Sequence, residues 1–286
     1  MDKIKNLSKF ADKKFGQNFL KNNQIIKQII QAIPNDKLEI VEIGSGLGDL
    51  TKELINVRNV TAFEVDKRLC EHLYKTFDEP IAQGLLDLKC KDVLEHWGDK
   101  SLLDRDYHLI ANLPYYIATN IILKALKDKR CQSILVMVQK EVAEKFVANS
   151  GDRAFSALSV LTQTAGEGEL LFDVEPHNFV PPPKVVSSIL LINKKESLND
   201  RGFEEFLKVA FKQPRKTLFK NLSSKYSKDK IKALFLELDI KNNLRPHEVT
   251  TPIYHHLYNE LKDNLDGKQQ TKQRKLSKSR ARNSQQ

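Results

Sequence analysis

Between residues 38 and 140, short apolar runs alternate with stretches whose apolar positions recur every three or four residues. The runs at 38–43, 60–65, 86–90, 107–111 and 133–138 predict buried strands; the stretches at 49–56, 67–76 and 119–126 predict amphipathic helices between them. Two more strands are expected at 169–174 and 187–192, after helices near 141–148 and 155–164. A proline-rich loop rather than a helix joins that pair, which suits antiparallel strands at a sheet edge. Strands alternating with helices imply right-handed crossovers, so the expected fold class is α/β, with a mainly parallel seven-stranded sheet covered on both faces. Beyond a polar linker at 194–201 the pattern becomes helical only, over 203–222, 228–238 and 251–261. This divides the chain into an α/β domain at 1–198, a small all-α C-terminal domain at 199–265 and a tail at 266–286.

Composition narrows the class. An apolar fraction of 40% supports a real core, and no apolar run approaches the roughly 20 residues needed to cross a bilayer. Met1 to Lys14 is polar and lysine-rich and reads as no secretory signal. Cys70, Cys90 and Cys131 are odd in number and widely spaced, which argues against a disulfide framework or a zinc site and for a cytoplasmic location. No metal site is expected; His255-His256, the one histidine pair, reads as surface. Of the net charge of +10, seven charges come from Lys268, Lys272, Arg274, Lys275, Lys278, Arg280 and Arg282, with no acid among them. The tail cannot fold alone and reads as a flexible arm for nucleic acid phosphates, the alternative being a merely solubilising segment.

Candidate chemistry collects at the strand ends. Val41-Glu42-Ile43-Gly44-Ser45-Gly46-Leu47-Gly48 is a strand running into a glycine turn, where Gly44 and Gly46 let backbone approach a ligand. The dinucleotide pattern would require glycine at position 49, which is Asp49, an acid unsuited to a pyrophosphate at a helix N-terminus. A sulfonium cofactor, carrying positive charge, suits acidic surroundings better. Glu64 ends the second strand as a candidate acceptor for ribose hydroxyls, and Asp92 follows the third where it could accept an adenine amino group. Asp66 reads as surface or a helix cap.

After the fourth strand comes Asn112-Leu113-Pro114-Tyr115. These residue types answer one chemical problem, because the exocyclic amine of adenine is a poor nucleophile whose lone pair is delocalised into the ring. Two acceptors on its N–H bonds, the Asn112 side chain and the Leu113 carbonyl, favour a pyramidal nitrogen; Pro114 holds its predecessor extended. Tyr115 can stack on the base. Methyl transfer is then an in-line displacement catalysed by positioning. No cysteine in this stretch offers a thiolate route.

Together these residues resemble the ribosomal RNA adenine N6-dimethyltransferases, in particular the small-subunit (16S), KsgA/RsmA-like branch. The resemblance spans about residues 9–262. It also rests on Lys14-Phe15-Gly16-Gln17-Asn18-Phe19-Leu20, Val138-Gln139-Lys140-Glu141-Val142, Phe179-Val180-Pro181-Pro182-Pro183-Lys184-Val185 and Ala210-Phe211-Lys212-Gln213-Pro214-Arg215-Lys216-Thr217. It implies a Rossmann-like class I methyltransferase using S-adenosylmethionine, with Asn18 and Leu20 touching the cofactor alongside Gly44, Glu64, Asp92 and Asn112. It further implies that Phe179 forms the base-pocket wall opposite Tyr115, an exposed aromatic on a loop stiffened by prolines. The implied reaction is double methylation of two adjacent adenosines in the 3′-terminal hairpin loop of small-subunit rRNA, by a monomer acting on the immature 30S subunit during its biogenesis. An unpaired loop base is cheap to splay out. Lys208, Lys212, Arg215, Lys216 and Lys220, at helical spacings, are the expected phosphate contacts. Tyr116 stands where the family more often has Asn, and Pro214 replaces a basic residue and is expected to kink its helix.

Three alternatives stay open at this point: the sister branch acting on large-subunit rRNA, a non-catalytic ribosome-assembly or transcription factor, and a nucleotide-dependent oxidoreductase, the last disfavoured by Asp49. The tetrad taken alone also fits methylation of DNA.

Overall fold

The computed structural model of the chain describes residues 16–98 and 100–262. It contains nine strands: β1 (Phe19–Leu20), β2 (Glu39–Ile43), β3 (Val60–Glu64), β4 (Leu86–Cys90), β5 (Tyr107–Asn112), β6 (Cys131–Gln139), β7 (Gly166–Val174), β8 (Phe179–Val180) and β9 (Ser187–Lys194). Seven form one sheet in the order β4-β3-β2-β5-β6-β9-β7. β2 to β6 run parallel. β9 enters antiparallel to β6, and β7 closes that edge antiparallel to β9. The order reverses at β2, whose neighbours β3 and β5 lead to opposite edges, and such a switch point opens a crevice beyond the strand carboxyl ends.

β3, β5 and β6 are buried nearly throughout because both faces are covered, whereas β4 at the sheet edge alternates buried Leu86 and Leu88 with exposed Asp87. Ile40, Val60, Ala62, Ile110, Leu135 and Ile189 share one core cluster with Ile26 and Ile29 of the helix Asn23–Gln31. Asn22 caps that helix through its side chain, accepting from the Gln24 and Ile25 N–H groups. The seven-stranded α/β sheet with its antiparallel edge thus matches the pattern of the sequence.

β1 and β8 were not foreseen. They form a separate antiparallel pair with Phe19 opposite Val180 and Leu20 opposite Phe179. Two-residue strands are too short to show an alternating pattern. The cysteine expectation needs correction, since Cys70 and Cys90 are joined as a disulfide. Their twenty-residue separation is closed in space by a β-α-β passage: Glu64 pairs with Cys90 across β3 and β4, and Cys70 lies one turn into the helix Lys67–Thr76. Cys131 remains a buried free thiol.

Over its described residues the chain divides into two compact units, one within Met1–Val147 with Thr162–Asn199, the other within Ala148–Leu161 with Asp200–Gln286. The first holds the sheet. The second, over its described residues, is helical around an aromatic cluster in which Phe206 meets Tyr226, Tyr254 and Tyr258. The single helix expected over 203–222 is two, Arg201–Ala210 and Leu218–Leu222. Pro214 in the intervening segment cannot donate to a helix ladder and its ring obstructs the preceding turn. Buried Asn221 pins the break from inside, donating to the Gln213 carbonyl at 3.1 Å and accepting from the Gln213 N–H at 3.2 Å.

Candidate active site

Four successive parallel strands deliver Gly44, Glu64, Asp92 and Asn112 to the rim of one cavity, whose other side is Gly16 to Leu20. The turn after β2 needs its glycines. Gly44 has φ +80°, and a Cβ there would lie 3.4 Å from Pro114 Cδ. Gly46 has φ +60°, and a Cβ there would lie 3.1 Å from the Phe19 ring. A side chain at either position would be strained and would fill the cradle.

Glu64 is buried with both carboxylate oxygens engaged by backbone. Oε2 accepts from the Gly46 N–H at 2.9 Å, and Oε1 accepts from the Val65 and Asp66 N–H groups, each at 2.9 Å. Burial pushes its pKa up against the pull of those donors. The glycine turn and the end of β3 are thereby locked together. Asp92 is half-buried and caps the helix Val93–His96 through Oδ1, which accepts from the Leu94 N–H at 2.8 Å. Asp66 is a cap as well: it receives the Arg68 N–H and guanidinium and the Gln17 amide, and the Arg68 interaction holds its carboxyl below the usual range. Asp49 pairs with Lys21 at the mouth of the cavity.

Sequence reasoning missed Glu42. It lies on β2 facing the cavity, 2% exposed, and accepts a 2.5 Å hydrogen bond from Thr51 Oγ1. Burial pushes its carboxyl up to about 7, and the nearby Glu64 charge acts in the same direction. The available signal was an acid at an inner position of the strand run, flanked by Val41 and Ile43. Acids outnumber bases on the cavity wall, with Glu42, Asp49, Glu64 and Asp92 against Lys91.

At the end of β5, the Asn112 side-chain amide donates to the Asn18 carbonyl at 3.1 Å. That bond uses the nitrogen end and fixes Oδ1 as the end left to accept. Leu113 is buried, and its N–H donates to the Met137 carbonyl on β6 at 3.1 Å. Pro114 packs over Gly44. Tyr115 is half-buried in the cavity wall; its hydroxyl shares a 2.7 Å hydrogen bond with Ser187 Oγ, and burial raises its pKa. Tyr116 lines the same cavity and is 60% exposed. Of the residues expected to hold the cofactor, Asn18, Leu20, Gly44, Gly46, Glu64, Asp92 and Asn112 all border this one space.

Phe179 does not. It was expected to be an exposed ring facing Tyr115, but it is 2% exposed and lies in the core cluster with Leu20, Val174 and Ile189. Its pairing with Leu20 across β1 and β8 turns the side chain inward.

In the second unit, Lys208 forms an i,i+3 ion pair with Glu205 at 2.7 Å. Lys212, Arg215 and Lys216 are exposed on the segment between the two helices, and Lys220 is exposed on the second helix. The five cations therefore do not share one helix face, because the expected helix is interrupted at Pro214. Lys14, Phe15 and the basic tail lie outside the described residues. Among the described residues no group of three or more His, Cys, Asp or Glu could hold a metal ion, and no helix is long and apolar enough to cross a membrane.

Comparison with known proteins adds four findings. A family model, ribosomal RNA adenine dimethylase, matches residues 9–263. The chain is 53% identical over 257 residues to the ribosomal RNA small subunit methyltransferase A of Sulfurimonas denitrificans, covering 90% of this chain and 96% of that one. Among solved structures it resembles a dimethyladenosine transferase from Plasmodium falciparum, with TM-score 0.69 and 25% identity over 82% of this chain and 94% of that one. The 23S rRNA methyltransferase ErmE shares the fold at TM-score 0.66 and 23% identity, over 86% of this chain and 100% of that one.

Proposed function

The chain belongs to the ribosomal RNA adenine dimethylase family, and on that premise we propose that the cavity at the ends of β2 to β5 is where it dimethylates N6 of two adjacent adenosines in the 3′-terminal hairpin loop of small-subunit rRNA. The observation that carries the assignment of the site is the Asn112 amide bound to the Asn18 carbonyl, which leaves Asn112 Oδ1 as the acceptor beside a cavity walled by Tyr115.

S-adenosylmethionine, when bound, supplies an electrophilic methyl group on a positively charged sulfonium. The residues present fit it. The glycine cradle admits a ligand close to backbone, and the predominance of acids on the wall suits its charge. Glu64 and the turn at Gly44 to Gly46 would hold the ribose end, and Asp92 would receive the adenine amine through the oxygen its capping bond does not use.

Toward the substrate, Tyr115 would stack on an unpaired adenine. Asn112 Oδ1 and the Leu113 carbonyl would accept the two N–H bonds of its amine and draw the nitrogen toward a pyramidal geometry. No strong base is needed, because the product cation loses its proton readily to water. For the second transfer one N–H remains for these acceptors while the first methyl takes the place of the other. Phe179, buried in the core cluster beside Leu20, stays outside this pocket. Lys212, Arg215, Lys216 and Lys220, with Lys208, would meet rRNA phosphates, on the immature 30S subunit.

Asn112→Ala tests the site. Methyl transfer should fall by about a hundredfold or more, as positioning effects allow, while cofactor affinity by calorimetry changes by less than about tenfold. Turnover at the wild-type rate would remove Asn112 from the mechanism.

A further inference from the structure

The ring of Tyr115 is held at both ends. One end is fixed by backbone: Leu113 is buried and bonded to Met137 of β6, and Pro114 is packed over Gly44. The other end is the hydroxyl, 2.7 Å from Ser187 Oγ. Ser187 is completely buried, and it is the first residue of β9, in register with Gln139 of β6 and Val174 of β7. Three strands therefore fix the position of its oxygen. The proline-rich connection that precedes β9 places this serine, seventy-two residues beyond Tyr115, under the cavity wall.

From this geometry we propose that Ser187 is a positioning residue that fixes the plane of the Tyr115 ring, and through it the seating of the base for the second methyl transfer. The inference rests on the reading of Tyr115 as the stacking wall. A ring tethered only at Cα can tilt and rock about its side-chain torsions; tethered also at its hydroxyl it offers one plane. Groups that act by positioning do so only when their own orientation is locked by neighbours. An unmethylated amine has two N–H bonds to orient it on Asn112 and Leu113, so it tolerates some tilt of the supporting ring. A monomethylated amine has one N–H and a bulkier substituent, so the plane beneath the base carries more of the alignment. The clasp therefore matters most at the second transfer. Ser187 touches neither the base nor the methyl donor, and the chemistry of the step is unchanged.

Ser187→Ala and Tyr115→Phe remove the same hydrogen bond from its two ends. Each should lower the ratio of the second to the first transfer rate by about fivefold, the equilibrium equivalent of one neutral hydrogen bond, so that N6-monomethyladenosine accumulates in single-turnover time courses. The double variant should be no worse than either single one, since the interaction can be lost only once. Cofactor affinity should stay within about twofold of wild type in all three, which separates the effect from a general loss of folding. Tyr115→Ala is the control for the underlying site: full activity in that variant would refute Tyr115 as the stacking wall. If Tyr115→Ala loses transfer while Ser187→Ala and Tyr115→Phe keep the wild-type product ratio, the site stands and the clasp is refuted. Additive losses in the double variant, or equal slowing of both transfers, would also overturn the clasp.

Discussion

Glu42 and Glu64 lie on neighbouring strands within the same cavity wall, but backbone satisfies only one of them. Glu64 receives three N–H groups, whereas Glu42 is met by side-chain hydroxyls alone, those of Thr51 and Ser45. Burial therefore dominates at Glu42 and pushes its carboxyl from the ordinary 4.5 to about 7. A carboxyl whose pKa rises on folding contributes its full share to stability below the unfolded value and loses it as pH climbs through the folded one. Glu42→Gln keeps the shape and the acceptor for Thr51 but cannot ionise. Its melting temperature relative to wild type should rise between pH 4.5 and pH 8 by about 3 °C or more; a difference independent of pH would show that folding does not raise the Glu42 carboxyl. Residues at this scale were legible when chain position alone exposed their role. Glu64 and Asn112 each terminate a strand and Asp92 lies two residues past one, and strand ends in such a sheet face the ligand. Ser187 and the orientation of Asn112 were not legible, because each depends on a partner more than seventy residues away. Phe179 was read as an exposed ring, since nothing in the sequence announced its pairing with Leu20.

Among the elements, the turn between the helix Ala118–Lys127 and β6 is organised by one aspartate that sequence reading passes over as a turn residue. Asp128 is buried; its Oδ2 accepts from Trp97 Nε1 at 3.0 Å, the Leu102 N–H at 2.7 Å and the Tyr107 hydroxyl at 2.9 Å, while Oδ1 accepts from the Arg130 N–H at 2.8 Å. Lys194 at the end of β9 donates to the Asp128 and Ala125 carbonyls. Asp128→Ala would leave buried donors of Trp97 and Tyr107 without an acceptor, and should cost about 3 kcal/mol or more in denaturant unfolding. A loss under about 1 kcal/mol would mean that water or a rearranged turn satisfies them. Periodicity located the seven strands of the main sheet and most of their connecting helices, because buried strands read as continuous apolar runs. It joined two helices across Pro214 because the flanking apolar spacing stays in phase while the backbone between them does not.

Across the whole molecule, the sheet unit carries the cavity, and the helical unit carries the exposed cations from Lys208 to Lys220. The order β4-β3-β2-β5-β6-β9-β7 explains why residues from 18 to 112 converge on one space: the chain switches direction at β2, and the crevice lies at that switch. Fold class followed from this architecture as read from the sequence, whereas the identity of the RNA came from family membership. The most direct test is methyl transfer from labelled S-adenosylmethionine to purified small ribosomal subunits lacking the modification, with large subunits in parallel and the labelled bases mapped. The account requires dimethylated N6 on two adjacent adenosines of the 3′-terminal hairpin loop of small-subunit rRNA. Label on large-subunit RNA, or cofactor binding with no transfer to either subunit, would contradict it.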